Sequence, residues 1–295
     1  MSFQLQSVKA IPGVRFRAIL GHCQGLALKS YRTGREEVGV RGYRDLADDL
    51  RRRIEEGEFR AGTTLPPIIA LMDEYGMARQ TVRSALAELA NQGFVVVRKK
   101  LGTLVRDRSV VRIPLSRYGS VMRPGRDRGP WEAACAAQGL NGRMAVADVE
   151  RLRADDDLAA LLGLLPGADL VYRRRNALIG EEIIQVQHAW YPKAIAEQAG
   201  ISGRNKVVGG VFGALIAAGL PPVSADERVT SGMPTAHEVS QLQIGTAVPV
   251  LRVQRITRTT GGEVLELLRV VAPADKIELI YDALPLGRRP DLKPE

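Results

Sequence analysis

The stretch from Arg79 to Asn91 constrains this chain more than any other, because its two sides ask for different partners. Val82, Ala85, Leu86, Leu89 and Ala90 fall at i, i+3, i+4, i+7 and i+8, the apolar stripe of a helix packed on a small core. The other face opens with Arg79, Gln80, Thr81, Arg83 and Ser84. At a helix N-terminus such side chains donate to phosphate oxygens, and Arg or Gln pairs in bidentate fashion with a guanine or adenine edge in the major groove. Taken alone, a helix of this kind is more often a solvated bundle helix, so its neighbours decide.

Upstream, Tyr43, Leu46, Ala47, Leu50 and Ile54 keep helical spacing, and Gly57 supplies a stop, which predicts a first helix from Tyr43 to Glu56. Ile68 to Tyr75 is a second short helix, entered through Leu65-Pro66-Pro67 and closed by Gly76. Gly76 and Met77 leave only a tight turn before the third helix, which is helix-turn-helix spacing. Downstream, Phe94 to Val97 is β-branched and aromatic, Arg98-Lys99-Lys100-Leu101-Gly102 is a basic turn, and Thr103 to Val105 returns. That pattern is a hairpin wing with positive charge at its tip.

In order, the residues Tyr43, Leu46-Ala47, Leu50, Ile54, Gly57, Phe59, Gly62, Leu65-Pro66, Leu71, Gly76, Arg79 to Arg83, Ala85-Leu86, Leu89, Gly93 to Val95, Gly102-Thr103 and Val105 resemble the winged helix-turn-helix of GntR-type transcriptional regulators. The resemblance implies operator contacts from Arg79, Gln80, Thr81, Arg83, Gly102 and Thr103, and the basic wing tip adds Lys99 and Lys100. Three departures bear on the operator sequence. Pro67-Ile68-Ile69 stands where the family usually has Ser-Glu-Arg, Ala78 where it has an N-capping Ser, and Lys100-Leu101 where it has Gly-Arg.

Charge follows the same division. Residues 1–130 hold 24 Lys and Arg against 13 Asp and Glu, net +11, whereas residues 131–295 hold 18 against 20, net −2. A protein that approaches polyphosphate with one end is expected to be basic at that end. The two cysteines, Cys23 and Cys135, have no CxxC spacing, so neither a disulfide framework nor a zinc site is indicated and a reduced cytoplasm fits. His22, His188 and His237 have no metal-ligand spacing. The longest uncharged apolar run, 207–223, is broken by glycines and ends in Pro221-Pro222, which argues against a membrane span, and the N-terminus lacks the pattern of a signal peptide.

These readings divide the chain into an extension (1–40), a winged helix-turn-helix (41–106), a linker (107–130) with a strand at Val110 to Leu115, a second domain (131–286) and a tail (287–295). The extension is read as loosely ordered: a basic arm on DNA, residues upstream of the biological start, or a tail without a role. The second domain reads as antiparallel hairpins with helices on one side, so the fold class is α+β. Its residues Leu162-Gly163, Gly167, Arg173-Arg174-Arg175, Gly180, Trp190-Tyr191-Pro192, Leu242, Gly245, Pro249 to Leu251, Arg255, Gly262, Val264, Glu266 and Asp275 are similar to the UTRA effector-binding domain of the HutC branch of the same family. This looser resemblance covers about 150 residues. It implies a chorismate lyase-like fold that binds a small metabolite.

An arginine in a strand beside acidic or amide partners binds carboxylate or phosphate. The candidates for effector contact are Arg173, Arg174, Arg175, Gln187, Arg255 and Glu266. Strand alternation sends either Arg174 or the pair Arg173 and Arg175 inward, and Arg255 with Glu266 can equally be a plain cross-strand ion pair. Gln187 stands where many members have a Glu, and Ala272 where phosphosugar-responsive members have a Tyr. No Ser/His/Asp order, phosphate loop or paired carboxylates suggest catalysis, and no cofactor is implied. The expectation is a homodimeric, ligand-responsive repressor released from a palindromic operator on double-stranded DNA by a small, anionic effector. The alternatives are an activator or dual regulator, a lyase-like enzyme with a DNA-binding head, and a DNA-organising or plasmid-maintenance protein with a vestigial pocket.

Overall fold

The structure, a computed structural model, describes residues 42–98, 100–114 and 128–282. The extension 1–40, Lys99, the middle of the expected linker and the tail 287–295 lie outside the described residues.

The N-terminal body is built from α1 (Tyr43–Glu55), α2 (Ile68–Tyr75), α3 (Arg79–Asn91), β1 (Val95–Arg98) and β2 (Gly102–Val105). Each helix buries the stripe that its periodicity foretells. Leu46, Ala47 and Leu50 of α1 meet Leu71 of α2 and Val82, Ala85, Leu86 and Leu89 of α3, and Val95 and Val105 of the hairpin close the same core. Gly76, in the left-handed conformation at φ 64°, ends α2 and turns the chain into α3. The loop before α2 adds a rung to the hairpin, since Leu65 N donates to Thr103 O at 2.8 Å. Arg53, buried in α1, donates to Glu58 and Glu74 and to the Tyr75 hydroxyl at 2.6 Å, and lies over the Phe59 ring at 4.6 Å. One guanidinium thus ties α1 to the end of α2, which periodicity alone cannot reveal.

The C-terminal body runs β3 (Val111–Pro114), α4 (Pro130–Ala136), β4 (Gly142–Arg153), α5 (Asp156–Leu162), β5 (Asp169–Ile179), β6 (Glu182–Pro192), α6 (Lys193–Gln198), α7 (Gly210–Ala217), β7 (Ser224–Gly232), α8 (Ala236–Leu242), β8 (Val250–Arg258), β9 (Val264–Pro273) and β10 (Ile277–Ile280). Six strands form one sheet in the order β4-β5-β6-β9-β8-β7, every neighbour antiparallel. Two differences from the sequence reading have physical causes. The helices cover both faces of this sheet rather than one, because successive strand residues are apolar on both sides. Val171, Ala189 and Leu268 pack under α6 and α7, while Leu170, Trp190 and Leu267 pack under α5. Within the stretch read as linker, the strand expected at Val110 to Leu115 forms as β3, but it belongs to the C-terminal body: it pairs in parallel with β10 through Val111 and Ile277, and its alternating Val111 and Ile113 are buried beside Trp131 and Cys135. Among the described residues no helix is long and apolar enough to cross a membrane.

The C-terminal end of α3 seats on the loop between α8 and β8. Thr246 N donates to Asn91 Oδ1 at 2.9 Å and Ala247 N to Asn91 O at 3.3 Å. A side chain on Gly245 would run into the carbonyl oxygens of Asn91 and Ala90, so only glycine permits this approach. Arg106 bridges the same region, pairing with Asp275 at 2.8 Å and Glu182 at 3.6 Å. The supporting helix α8 is held by a capping box, Thr235 with Glu238, and by two bonds from Arg252 to the Glu238 carboxylate at 2.7 and 2.6 Å.

Two outcomes follow from this joint. Gly245→Ala should detach the end of α3 while leaving each body folded, read as a rise in inter-body distance by paired spin labels with unchanged far-ultraviolet circular dichroism; an unchanged distance would refute the close-approach argument. The Arg252 guanidinium holds the Glu238 carboxyl down at about 2, below its ordinary 4.5. A depressed folded pKa contributes stability that is complete above the unfolded value and is lost as pH falls from 4.5 toward 2. Melting curves taken from pH 6 down to pH 2 should therefore converge for the wild type and Glu238→Gln at the acid end. Parallel curves would show that the pair contributes nothing.

Candidate nucleic-acid interface and ligand cavity

Arg79, Gln80 and Arg83 are exposed on the first turns of α3, and Thr81 is half-buried beside them. Ala78 offers no side-chain cap, so the N–H groups of the first turn are not taken by a capping oxygen and point toward whatever approaches the helix end. The wing stands beside this helix. Val97 pairs with Thr103 and Arg98 with Gly102, and Lys100 turns the corner at φ 72°, with Arg98, Lys100 and Gly102 exposed and Thr103 half-buried. Exposed apolar groups accompany the cations: Ile69 on α2 is 67% exposed and Leu101 at the wing tip 65%. On a DNA-facing surface such groups meet thymine methyls rather than phosphates.

The second body encloses a cavity of about 130 Å³ between the sheet face bearing Val171 and the elements α4 and α7. A cavity of about 150 Å³ holds a benzene ring, so this one suits a ligand of similar core size. Arg173, Arg175, Gln187, Arg255 and Glu266 all line it. Arg174 does not. It lies on the opposite face of the sheet, so alternation sends the outer pair inward.

At the floor sits the Glu266 carboxylate, 1% exposed. It accepts from Arg255 at 2.8 Å and from the Tyr191 hydroxyl at 2.5 Å, and the Arg175 guanidinium stands 3.7 Å away. Burial works against the charge, yet the two arginines and the tyrosine hold this carboxyl below its usual range, so it is an anion. The same burial, with the neighbouring carboxylate, pushes the Tyr191 hydroxyl up. Arg255 also stacks over the Phe212 ring at 4.9 Å and approaches Glu227 of β7 at 3.9 Å. Arg173 is otherwise engaged: fully buried, it donates to the carbonyls of Ile201 (2.5 Å), Gly203 and Asn205 (3.1 Å), and so holds the loop leading to α7 over the cavity. Its pKa is lowered by that burial. Among the described residues, the buried Nε atoms of Arg173 and Arg175 have no hydrogen-bond partner.

Several lining residues escaped the sequence reading. Gln185, two residues before Gln187, shares its face and accepts a bond from it at 3.1 Å. Lys206 stands at the rim and pairs with Glu132 of α4 at 3.5 Å. Phe212 and Trp131 form apolar walls. The alternation of β6 signals Gln185, but no local pattern announces Lys206, Phe212 or Trp131, because long-range packing brings them in. Among the described residues no group of three or more His, Cys, Asp or Glu is placed to hold a metal ion.

Comparison with known proteins matches these two bodies separately. Residues 42–105 match the bacterial regulatory proteins of the gntR family, and residues 137–278 match the UTRA domain. An HTH-type transcriptional regulator of Rhizobium meliloti is 28% identical over 250 residues, covering 82% of this chain and 95% of that protein. The HTH-type transcriptional repressor NagR of Bacillus subtilis is 22% identical over 242 residues, covering 81% of this chain and 93% of its own length. A crystal structure of a GntR-family transcriptional regulator superposes with a TM-score of 0.52 at 25% identity, over 83% of this chain and 98% of the other. The chain therefore belongs to the GntR family of bacterial transcriptional regulators, in the HutC branch that joins a winged helix-turn-helix to a UTRA effector-binding domain, and is a ligand-responsive, DNA-binding regulator of transcription.

Proposed function

We propose that the protein is a cytoplasmic, homodimeric repressor that occupies a palindromic operator and leaves it when a small anionic effector enters the cavity. The observation that carries the effector reading is the cavity floor, where Arg175 and Arg255 flank a single buried carboxylate. With Arg173 and Lys206 also in the lining, four cations stand against the carboxylates of Glu266, Glu227 and Glu132, and the positive charge left over is one that an incoming carboxylate or phosphate offsets. Arg173 serves by holding the loop over the ligand rather than by touching it. Gln185 and Gln187 supply the neutral polar contacts that set ligand shape. Repression is the activity named for the Bacillus subtilis relative. Dimerisation is supported by β7, a nine-residue edge strand that is almost wholly exposed and whose outer side is unpaired among the described residues. A head that reads one half-site needs a second copy to read a palindrome. The domain limits that serve this scheme are a head over 41–106 and a sensing body over 131–286, joined by 107–130, of which β3 packs with the sensing body.

On the DNA side, Arg79→Ala should lower discrimination between operator and random sequence by about 1–3 kcal/mol, the worth of a lost base contact. Arg83→Ala should weaken both and make the dependence on salt shallower by about one unit of slope. Fluorescence anisotropy across a salt series checks both, and unchanged operator binding by the double variant would refute the interface. On the effector side, Arg175→Gln should leave operator affinity within about threefold and raise the inducer concentration needed for release at least tenfold. Lost operator binding in that variant, with an altered far-ultraviolet spectrum, would mark Arg175 as a purely structural ion-pair partner.

A further inference from the structure

The sheet carries a second, differently built cleft on the face turned away from the cavity. Strand register places Arg228 of β7 opposite Gln254 of β8, Gln254 opposite Arg269 of β9, Arg269 opposite His188 of β6, and His188 opposite Arg174 of β5. Directly opposed residues of neighbouring strands point the same way, so these five form one row across the sheet. Helix α8 stands along part of this row with Thr235, His237 and Gln241, and together they enclose a cleft of about 410 Å³.

Its lining holds three arginines and two histidines against one carboxylate, Glu238. That carboxylate is taken by Arg252 and by Thr235 N at 2.7 Å. Among the described residues, Arg269 is occupied only by neutral partners, donating from Nε to Gln254 Oε1 at 3.2 Å and lying over the Trp190 ring at 5.4 Å. Arg228 is exposed, and among the described residues it has no hydrogen bond or ion pair. His188 is fixed between the Tyr172 hydroxyl, 2.7 Å from Nδ1, and Gln241, and is stacked on Trp190. The carboxylates of this face are taken elsewhere, Glu238 by Arg252, Asp226 by Arg258 and Asp148 opposite Arg174, so Arg228 and Arg269 are left without a carboxylate partner among the described residues and repel one another, a cost that a bound anion removes. Arg228 and Arg269 lie two strands apart, roughly 10 Å between backbones, and reach the cleft from two sides. A tetrahedral oxyanion can accept from both at once, whereas a carboxylate is satisfied by one fork. A duplex cannot enter a cleft walled by α8.

We propose that this cleft is a second ligand site, distinct from the effector cavity, which takes phosphate, free or as the monoester group of a small molecule, between Arg228 and Arg269 with His237 and Thr235 at its side. The site bears on the head directly. Helix α8 forms its wall, and the loop following α8 carries Gly245 and Thr246 onto the end of α3.

The test is calorimetric titration of the full chain with inorganic phosphate, then with glycerol 3-phosphate, at fixed ionic strength set by chloride. Saturable binding is expected for the wild type, weakened at least tenfold in Arg228→Gln/Arg269→Gln and unchanged in Arg175→Gln. Tighter binding of glycerol 3-phosphate than of phosphate would assign the site to a monoester, and the reverse to the free ion. Arg228→Gln alone, on an exposed edge strand, keeps the test if the double variant does not fold. The proposal is overturned by absence of saturable binding, by undiminished binding in the arginine variants, or by binding lost in Arg175→Gln instead, which would send the phosphate to the other cavity. Sedimentation velocity provides the remaining arm: if the arginine variants change oligomeric state, the row is an interface between copies and not a ligand site.

Discussion

A carboxylate shut away from water organises the sensing half of this protein. Glu266 keeps its charge only because Arg255, Arg175 and Tyr191 surround it, and those three residues come from three different strands, β8, β5 and β6. An uncompensated charge at that depth would cost several kcal/mol, so the strands must keep the register that brings the partners together. A slip of one residue would turn the arginines to the other face and leave Glu266 alone. The ion cluster therefore specifies strand register as well as lining the cavity proposed as the effector site. The two roles are compatible because Arg175 stands farther off than Arg255, at 3.7 Å against 2.8 Å, and has room to serve a second anion.

The same alternation gives the sheet two chemical faces. Arg173 and Arg175 point to the enclosed side and Arg174 between them to the open one. On the enclosed side Arg173 is engaged by carbonyls and Arg175 stands near Glu266. On the open side arginines stand in a row with glutamine and histidine between them. Triple arginine in a strand is thus not one binding motif but two half-motifs separated by the thickness of the sheet.

Local periodicity made much of this fold legible in the sequence. The helices of the head, the wing and the antiparallel hairpins of the second domain announce themselves through spacing of apolar residues and through glycines such as Gly76 that end elements. The inward direction of Arg173 and Arg175 was limited to two alternatives by strand geometry, and packing chose between them. What stayed hidden depends on contacts between residues far apart in sequence. Composition makes 107–130 look like a linker, yet Val111 and Ile113 are buried because β10 lies more than 160 residues away in sequence and still pairs with them. Burial of Arg53 required partners from α2, and the loop held by Arg173 carries no motif of its own.

Coupling between cavity and DNA has a physical route in the joint between Asn91 and the 243–248 loop. Strand β8 begins two residues after that loop and carries Arg255 into the cavity. Its neighbour β9 carries Glu266. A ligand that draws Arg255 or Arg175 away from Glu266 acts on the strands whose ends support the loop, and the loop grips the helix that presents Arg79 and Arg83. Such a ligand can change operator affinity only by its difference in affinity for the two arrangements of the head, about 1.4 kcal/mol for each tenfold. Because linkage is reciprocal, operator DNA must weaken effector binding by the same factor. The joint is small, a few hydrogen bonds around one glycine and the Arg106 ion pairs, and a contact of that size can be remade at modest cost. A larger, apolar joint would lock the head in one position, and a ligand of the size this cavity admits could not then supply the free energy needed to move it.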